Sequence, residues 1–245
     1  TQKDGRRWST SSAYLNPARG RSNLEIRTKV QTKRIIFEQN KAVGVETERA
    51  GRSETIRARH VILSCGAIGS PQLLELSGVG DADRLNALGI NVHHHLPDVG
   101  EHLQDHLLCK VVYGTRADLS INREVRGARL IPAALKWFFA RKGPLTTGSA
   151  PIGAFWYTRE GLEAPDIQVH FASGATLYND AGKIRALAQP AMSAVVNQSR
   201  PESRGSIHIT SADFRDHPEI KANYLSTELD RRTMVDGMKL LLQVF

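Results

Sequence analysis

The amino-acid sequence predicts an α/β fold of mixed α+β type, and three observations lead to that prediction. An apolar run at 61–63 leads directly into a glycine-rich stretch, 66–80, which continues as a leucine-rich helix. Residues 24–63 hold short strand-like segments separated by turn residues. From about residue 109, short strands are interspersed with longer helical segments. Hydrophobic residues make up 40% of the 245-residue chain, enough for a substantial core.

The first elements are predicted to form a small antiparallel unit that leads into one buried strand. The strand-like segments lie at 24–26, at 34–37, in KAVGVETE around Val43 and Val45, and in GRSETIRARHVILS. Residues 39–41 and 50–53 between them are typical of turns. We expect the last segment to end as a buried strand where the glycine-rich stretch begins.

Two short helices are predicted after this strand. Ser70 suits the N-cap of the first helix and Pro71 its first position, and Gly78 follows its end. Asp81 is the predicted N-cap of the second helix, and Gly89 ends it. A histidine-rich loop, INVHHHLPDVGEHLQDH, comes next.

The second half of the chain is predicted to hold an antiparallel sheet and helices. The predicted strands are 109–113, 152–157, 167–171, 192–197 and 206–211, and the predicted helices are 130–141 and 227–245. Because the pattern of elements changes near residue 108, we predict one domain over 1–108 and a second over 109–245.

Composition restricts the possible partners. The formal net charge of +8 could attract nucleic acid or anionic surfaces, but the basic residues are scattered along the chain and aromatic residues are not interleaved with them. We therefore expect a solvated basic surface and no nucleic-acid partner.

No apolar run approaches the ~20 residues that a membrane span needs. Cys65 and Cys109 fit neither a disulfide framework nor a metal site, and both are predicted to be buried.

The stretch GAIGSPQLLELSGVG, residues 66–80, allows two interpretations. One is a plain chain reversal, and the other is a backbone brought close to a ligand, since glycine lacks a Cβ and adopts positive φ. Ligands in α/β sheets bind at the carboxyl ends of strands, which favours the second interpretation. The spacing lacks the GxGxxG pattern of a dinucleotide fingerprint, so the residues alone leave both interpretations open.

This stretch resembles the second signature of the glucose–methanol–choline (GMC) oxidoreductases, a family of FAD-dependent alcohol oxidases and dehydrogenases. WSTSSAYLNPARGRSNLEIRTKVQTKRIIFEQNKAVGVE before it and LPDVGEHLQDHL after it are also similar to family segments. GPLTTG, APDIQVHF and RPESRGSIHITSADFRDHPEIKANYL resemble landmarks of the family's substrate domain. The resemblance covers nearly the whole chain and is nearest to the choline and alcohol dehydrogenase branch.

The resemblance implies that FAD is the cofactor and indicates which residues approach it. In the family, the strand that here ends at Cys65, Gly66 and Ala67 approaches the flavin nucleotide. Thr32 stands where family members usually carry a valine whose backbone binds the adenine. These four residues are the predicted cofactor-binding residues, and no catalytic or metal-binding residue is predicted.

The resemblance also implies an activity and a domain arrangement. Residues 1–108 would be part of an FAD-binding doubly wound domain, and 109–245 part of a substrate-binding domain. The whole enzyme would oxidise an alcohol by hydride transfer to the flavin, with oxygen or a quinone as electron acceptor. A hydroxynitrile lyase of the same family and a basic, non-catalytic anion-binding module remain as alternatives. We expect the enzyme to be cytoplasmic or peripheral to an inner membrane.

Two family features are missing from the sequence. It contains no GxGxxG segment to hold the pyrophosphate, and it ends before the segment that carries the family's catalytic histidine. We therefore expect the chain to be an internal fragment of a longer enzyme and to be inactive by itself.

The nine histidines and the loop acids are predicted to play ordinary roles. Side chains at 93–95 alternate in direction along an extended chain, so they do not readily converge on a metal. His102 and His106 have a spacing that could bind zinc on a helix, but they lie in a predicted loop. The other candidates are predicted to be strand residues or solvated loop acids, namely His170, His208, Asp98, Glu101 and Asp105.

The resemblance further predicts the class of substrate. Choline-oxidising relatives place a glutamate, which meets the trimethylammonium group, just before a Gly-x-Phe strand. Here Pro151 takes that place, and the next carboxylate along the chain is Glu160. Because Pro151, Ile152 and Phe155 suggest an apolar wall, we expect a preference for neutral primary or aromatic alcohols over choline.

Overall fold

The computed structural model describes residues 2–116, 120–148, 150–178 and 183–244. Contacts within these ranges divide the chain into two compact units, each assembled from segments that are distant in sequence. Unit A consists of residues 25–105 and 201–227. Unit B consists of residues 1–24, 106–200 and 228–245, as far as they are described.

The described residues form a mixed α/β structure with mainly antiparallel strands, as the sequence predicts. The strands are β1 Gln2–Lys3, β2 Arg6–Arg7, β3 Gln31–Glu38, β4 Lys41–Arg49, β5 Arg52–Arg57, β6 Val79–Gly80, β7 His94–His95, β8 Leu108–Gly114, β9 Ile152–Trp156, β10 Ile167–Ala172, β11 Thr176–Tyr178, β12 Ile184–Ala186, β13 Ala191–Gln198, β14 Ser206–His208 and β15 Glu219–Lys221. The α-helices are α1 Asn16–Ala18, α2 Gly66–Leu76, α3 Ala82–Ala87, α4 Leu130–Ala140 and α5 Glu228–Val244. A π-helical turn at Ser11–Leu15 and 3₁₀ turns at Ile121–Arg123, Gly127–Arg129 and Pro144–Thr146 complete the helical segments. None of the helices in the described ranges is long and apolar enough to cross a membrane.

Unit A is built around helix α2. The antiparallel sheet β3-β4-β5 packs against one side of α2, where the backbone N–H of Ile35 donates to Ser77 Oγ at 2.8 Å. The antiparallel pair β14-β15 also contacts α2. Buried apolar side chains from all these parts fill the core of the unit, among them Ile35, Leu73, Leu85, Ile207 and Ile209.

Unit B is an antiparallel sheet covered by helix α5. Its main sheet has the strand order β8-β13-β10-β9 within the described residues. Ile167, Ala194, Val196 and Leu241 are buried together between this sheet and α5. Gly237 allows close packing, because a Cβ at this position would lie 3.1 Å from Val196 Cγ2. Strand β9 is at the edge of this sheet, and all five of its residues are exposed.

Most predicted elements of the second half are confirmed. The strands predicted at 109–113, 152–157, 167–171 and 192–197 appear as β8, β9, β10 and β13 with ends shifted by two residues or fewer. Helices α4 and α5 match the predicted helices, although the predicted end at residue 245 lies outside the described residues. The strand predicted at 206–211 is shorter and ends at His208.

Three predictions for the first half of the chain are wrong. Residues 58–65 form no strand, and Ile62 is 85% exposed, because the described chain provides no neighbouring strand to pair with this segment. Residues 24–26 are also not a strand. Helix α2 begins at Gly66 rather than after Ser70, and Pro71 lies inside it. A proline within a helix removes one N–H···O=C bond, which this helix accommodates.

The two compact units differ from the contiguous domains predicted at 1–108 and 109–245. Residues 201–227 belong to unit A because β14 bonds to the loop around Gly100: the Ile207 N–H donates to the Gly100 carbonyl at 2.7 Å. Residues 1–24 instead group with unit B, where the Trp137 indole N–H donates to the Gly5 carbonyl at 2.9 Å. The assignment of FAD binding and substrate binding to the two predicted ranges stays a prediction.

Candidate functional site

A cleft of about 220 Å³ in unit A contains two of the four predicted cofactor-binding residues, Thr32 and Cys65. Thr32 comes from β3, and Cys65 immediately precedes α2, so the packing of α2 on β3 brings the two residues together. The other residues that line the cleft are Val30, Gln31, Gly69, Gln72, Leu73, Leu76 and Phe214.

Gly66 and Ala67 form the first turn of α2 beside this cleft. Gly66 has a φ of +77°, a conformation that glycine adopts without strain, and a Cβ there would meet no atom within 4 Å. Cys65 is the N-cap residue, but its side chain makes no capping hydrogen bond, and no acidic residue stands in the first turn. The first N–H groups of a helix lack partners within the helix and attract negative charge. The turn is therefore open to the backbone approach of an anionic group.

The environment of Cys65 corrects one prediction. Cys65 is exposed, whereas Cys109 is half-buried in β8. The prediction that Cys65 is buried depended on a buried strand at 58–64. Because that strand is absent, the Cys65 thiol remains accessible to solvent at the N-terminus of α2.

The size of the cleft limits which part of a dinucleotide it suits. Pockets for whole drug-sized ligands are roughly 300–1,000 Å³, so a cleft of about 220 Å³ suits one end of a dinucleotide. The ring of Phe214 supplies an aromatic surface and Leu73 an apolar one, as a nucleobase requires. These residues fit an adenine, whereas the sequence contains no GxGxxG segment for a pyrophosphate.

A buried histidine with a carboxylate at each ring nitrogen lies on another side of α2. His208 Nδ1 is 2.7 Å from Glu75 Oε1, and His208 Nε2 is 2.8 Å from Glu101 Oε1. Glu75 is fully buried, and its second oxygen accepts a hydrogen bond from the Ile209 N–H at 2.8 Å. A buried carboxylate is tolerated only when such partners replace water.

This cluster corrects the prediction for His208, and it includes a residue that the sequence analysis missed. His208 is not an ordinary strand residue, whereas Glu101 is an exposed loop acid as predicted, which in addition contacts His208. Glu75 was not predicted as a site residue. Its position between Leu74 and Leu76, in a helix whose neighbouring residues are apolar, could have indicated a buried acid.

The consecutive histidines of the loop make separate structural contacts. His93 stacks on Phe37 with ring centroids 4.2 Å apart. His95 Nδ1 accepts a hydrogen bond from the Ala82 N–H at 3.1 Å, and His94 lies exposed in β7. Over the described ranges, no group of three or more histidine, cysteine or acidic side chains is arranged to hold a metal ion.

The remaining loop residues also have identifiable partners. His102 Nε2 lies 3.4 Å from Asp98 Oδ1, with both side chains exposed. His106 Nε2 lies 3.1 Å from the carbonyl oxygen of Ser199. Asp105 accepts a short hydrogen bond from the Tyr224 hydroxyl, and this bond raises the pKa of Tyr224.

The segment predicted to form an apolar wall lies at the exposed edge of unit B. Ile152 and Phe155 are exposed on β9, and Pro151 precedes this strand directly. The carboxylate of Asp166 lies at the opposite end of β9, beside Trp156, where it accepts a hydrogen bond from the Thr158 N–H at 2.8 Å and lies 3.4 Å from Arg159 Nη1.

Comparisons with known proteins identify similar sequences along the whole chain. The N-terminal GMC oxidoreductase family model matches residues 1–108, and the C-terminal model of the same family matches residues 201–245. An oxygen-dependent choline dehydrogenase from Staphylococcus saprophyticus is 39% identical over 236 residues, which cover 96% of this chain and 42% of that protein. The mitochondrial choline dehydrogenase of Homo sapiens is 39% identical over the full chain and 41% of its own length.

A solved structure has a similar fold. A formate oxidase from Aspergillus oryzae RIB40, studied for FAD modification, superposes with a TM-score of 0.87. The match covers 98% of this chain and 46% of the oxidase, at 22% sequence identity. The chain thus spans less than half the length of each of these relatives.

Proposed function

The chain belongs to the GMC oxidoreductase family, and on that premise we propose that the protein containing it oxidises the CH–OH group of a small alcohol with FAD as hydride acceptor. The observation that supports this proposal is 39% identity, along nearly the whole chain, to choline dehydrogenases of Staphylococcus saprophyticus and Homo sapiens. The alternative of a basic anion-binding module has no comparable support.

The residues of unit A have specific roles in this proposal. The cleft takes the adenine end of FAD, with the backbone of Thr32 on one side and the ring of Phe214 available for contact. Gly66 lets the chain approach the nucleotide closely, because its positive φ and missing Cβ leave the turn open. The N-terminus of α2 favours nearby negative charge. When bound, the flavin supplies the redox chemistry by accepting a hydride from the alcohol carbon.

A more specific proposal concerns the class of alcohol that the enzyme prefers. The names of the relatives favour choline. The residues before β9 instead favour a neutral alcohol, since Pro151 offers no carboxylate and the next acidic residue along the chain is Glu160. A trimethylammonium group there would depend on aromatic faces such as Phe155, each worth roughly 0.5–2 kcal/mol. We infer a preference for neutral primary or aromatic alcohols.

The redox proposal is tested on the natural protein that contains these residues. We expect the purified protein to show the visible absorption bands of oxidised flavin, and anaerobic addition of an alcohol substrate to bleach them. A folded protein without a flavin band would contradict the proposal, and turnover without flavin reduction would identify a lyase. Oxygen uptake, compared with reduction of a soluble quinone, tests which electron acceptor is used.

The substrate proposal is tested by kcat/KM for choline beside a panel of neutral alcohols. We expect neutral alcohols to be favoured, and Pro151→Glu to raise kcat/KM for choline by about tenfold, equal to roughly 1.4 kcal/mol. Pro151→Gln is the matched control, because it changes shape in the same way without adding charge. Preferential turnover of choline by the unmodified protein, or no gain from Pro151→Glu, would overturn the inference.

A further inference from the structure

The buried cluster of His208, Glu75 and Glu101 joins three separate parts of unit A. Glu75 belongs to α2, His208 ends β14, and Glu101 lies in the loop 98–105. Glu75 and His208 are 133 residues apart in the chain, and Glu101 and His208 are 107 apart. The imidazole is thus the link between α2 and the loop.

Backbone hydrogen bonds hold the same parts together and define the geometry around the imidazole. The Ile207 N–H donates to the Gly100 carbonyl at 2.7 Å, and Leu103 and Gly205 exchange hydrogen bonds at 2.8 and 2.9 Å. Gly100 has a φ of +85°, and a Cβ there would lie 2.8 Å from the His208 ring. The loop backbone therefore packs directly against the imidazole.

Only an imidazole with a proton on each ring nitrogen can donate to both neighbouring carboxylates at once. A carboxylate only accepts hydrogen bonds, and both ring nitrogens of His208 face a carboxylate oxygen within 2.8 Å. A neutral imidazole has one N–H and one acceptor nitrogen, so one of the two contacts would become repulsive. Glu219 also faces His208 across the β14-β15 pair, and Arg84 lies near Glu219. Glu219 is itself paired with Lys221 at 2.8 Å, so the carboxylates that contact the imidazole directly are those of Glu75 and Glu101.

One turn of helix α2 connects the buried cluster to the cleft. Gln72, Leu73 and Leu76, which line the cleft, surround Glu75 in the helix. Successive helical residues point in different directions, so a turn anchored on one side by Glu75 presents its other residues to the cleft. Movement of Glu75 would therefore displace the lining of the cleft.

We propose that His208 is a positioning residue, which through contacts at both ring nitrogens ties α2 to the loop 98–105 and thereby holds the cofactor cleft in its binding shape. This inference rests on the proposed function, because it assumes that FAD occupies the cleft. Loss of either contact by substitution of His208 loosens α2 and weakens FAD binding.

The test measures FAD dissociation from the natural protein at neutral pH, by the fluorescence of released flavin. We expect His208→Gln, whose donors all lie on one nitrogen and whose oxygen cannot donate, to weaken FAD binding by about tenfold, equal to roughly 1.4 kcal/mol. His208→Arg, with several separate donors that can reach both carboxylates, should restore tight binding. His94→Gln makes the same change at an exposed histidine of unit A and should match the unmodified protein.

A milder variant keeps the inference testable if His208→Gln does not fold. Glu101→Gln replaces the carboxylate at the exposed side of the cluster by a neutral amide and should weaken FAD binding by a smaller factor than His208→Gln does. If the unmodified protein binds FAD but these variants do not change its affinity, the role of His208 is refuted while the proposed function stands. If the unmodified protein binds no FAD, the proposed function itself fails.

Discussion

At the scale of single residues, two carboxylates of unit A lie away from water where hydrogen-bond donors surround them. Glu75 has no exposed surface, yet it receives the Ile209 N–H and contacts His208. Glu46 shows the same rule nearer the surface, where Lys33 and Arg34 each approach one of its oxygens at 2.7 Å. Both carboxylates belong to unit A, so their loss should be measurable as a change in its stability.

Replacing Glu75 by alanine should strongly destabilise the protein. The change leaves His208 and the Ile209 N–H buried without their acceptor, and breaking a buried pair in this way costs about 3–5 kcal/mol. Urea unfolding measures the loss. Glu228→Ala is the control, because Glu228 is 81% exposed and pairs with Arg231 in the same helix turn, a change worth less than about 1 kcal/mol. Equal effects of the two substitutions would show that burial of Glu75 does not matter.

Glu46 should make stability depend on pH in the acidic range. Hydrogen bonds from Lys33 and then Arg34 lower the pKa of Glu46 below its ordinary value of about 4.3. A carboxylate with a lowered folded-state pKa adds stability that is present above the unfolded-state pKa and is lost as pH falls through the folded-state value. We expect Glu46→Gln to reduce the fall in unfolding free energy below about pH 4.5. Glu163→Gln, at an exposed acid, controls for the loss of one carboxylate, and identical pH profiles for the two variants would contradict this prediction.

At the scale of elements, helix ends and helix packing are both determined by a few positions. Helix α3 begins with a side-chain cap, since Asp81 Oδ1 accepts the Arg84 N–H at 2.9 Å, and Gly89 follows its end with a φ of +72°. Helix α5 lies close to β10 and β13 at Gly237, a residue without a side chain to separate them.

The cap of α3 should contribute about 1 kcal/mol. Asp81→Ala removes the acceptor of the Arg84 N–H, a change that typically costs about 0.5–2 kcal/mol. Asp81→Asn keeps an oxygen in the same place and should restore most of that stability. Urea midpoints of the two variants provide the measurement, and an equal loss in both would mean that the charge, rather than the hydrogen bond, stabilises the helix.

Gly237 should not accept a large side chain. A leucine there would extend into Val196 and Ile167, which are both almost completely buried, and overpacking of this kind costs about 1–3 kcal/mol. Val235→Leu adds one methylene at an exposed position of the same helix and should change stability by less than about 0.5 kcal/mol. Thermal unfolding of both variants tests the prediction, and a stable Gly237→Leu protein would show that α5 can move away from the sheet.

At the scale of the whole molecule, many large apolar side chains of the described residues are exposed to solvent. Strand β9 is an open sheet edge with Ile152, Phe155 and Trp156 exposed, and α4 exposes Phe139. Open edges with apolar side chains readily pair with other chains.

We therefore expect the 245-residue chain by itself to self-associate through β9. Phe155→Lys places a charge at this edge and should shift light scattering toward the monomer without lowering the melting temperature. Phe139→Lys is the matched control, because it removes an even more exposed phenylalanine from a helix, where no backbone pairing is possible. A purely monomeric chain at high concentration, or an equal response to both substitutions, would refute the role of the edge.

The local pattern of the sequence was sufficient to predict several features of this protein. The four strands of the main sheet of unit B and the ends of α3 follow from periodicity and capping residues, which act over only a few positions. The resemblance of residues 66–80 and their flanks to a family signature identified Thr32 and Cys65, and the structure places both in one cleft.

Other features were decided only by the tertiary structure. The apolar run at 61–63 has the composition of a buried strand, but a strand needs neighbours for its backbone hydrogen bonds, and the described chain provides none there. The cluster of Glu75, Glu101 and His208 joins residues more than a hundred positions apart. Local periodicity contains no information about such pairs, because their proximity depends on how β14 packs between α2 and the loop 98–105.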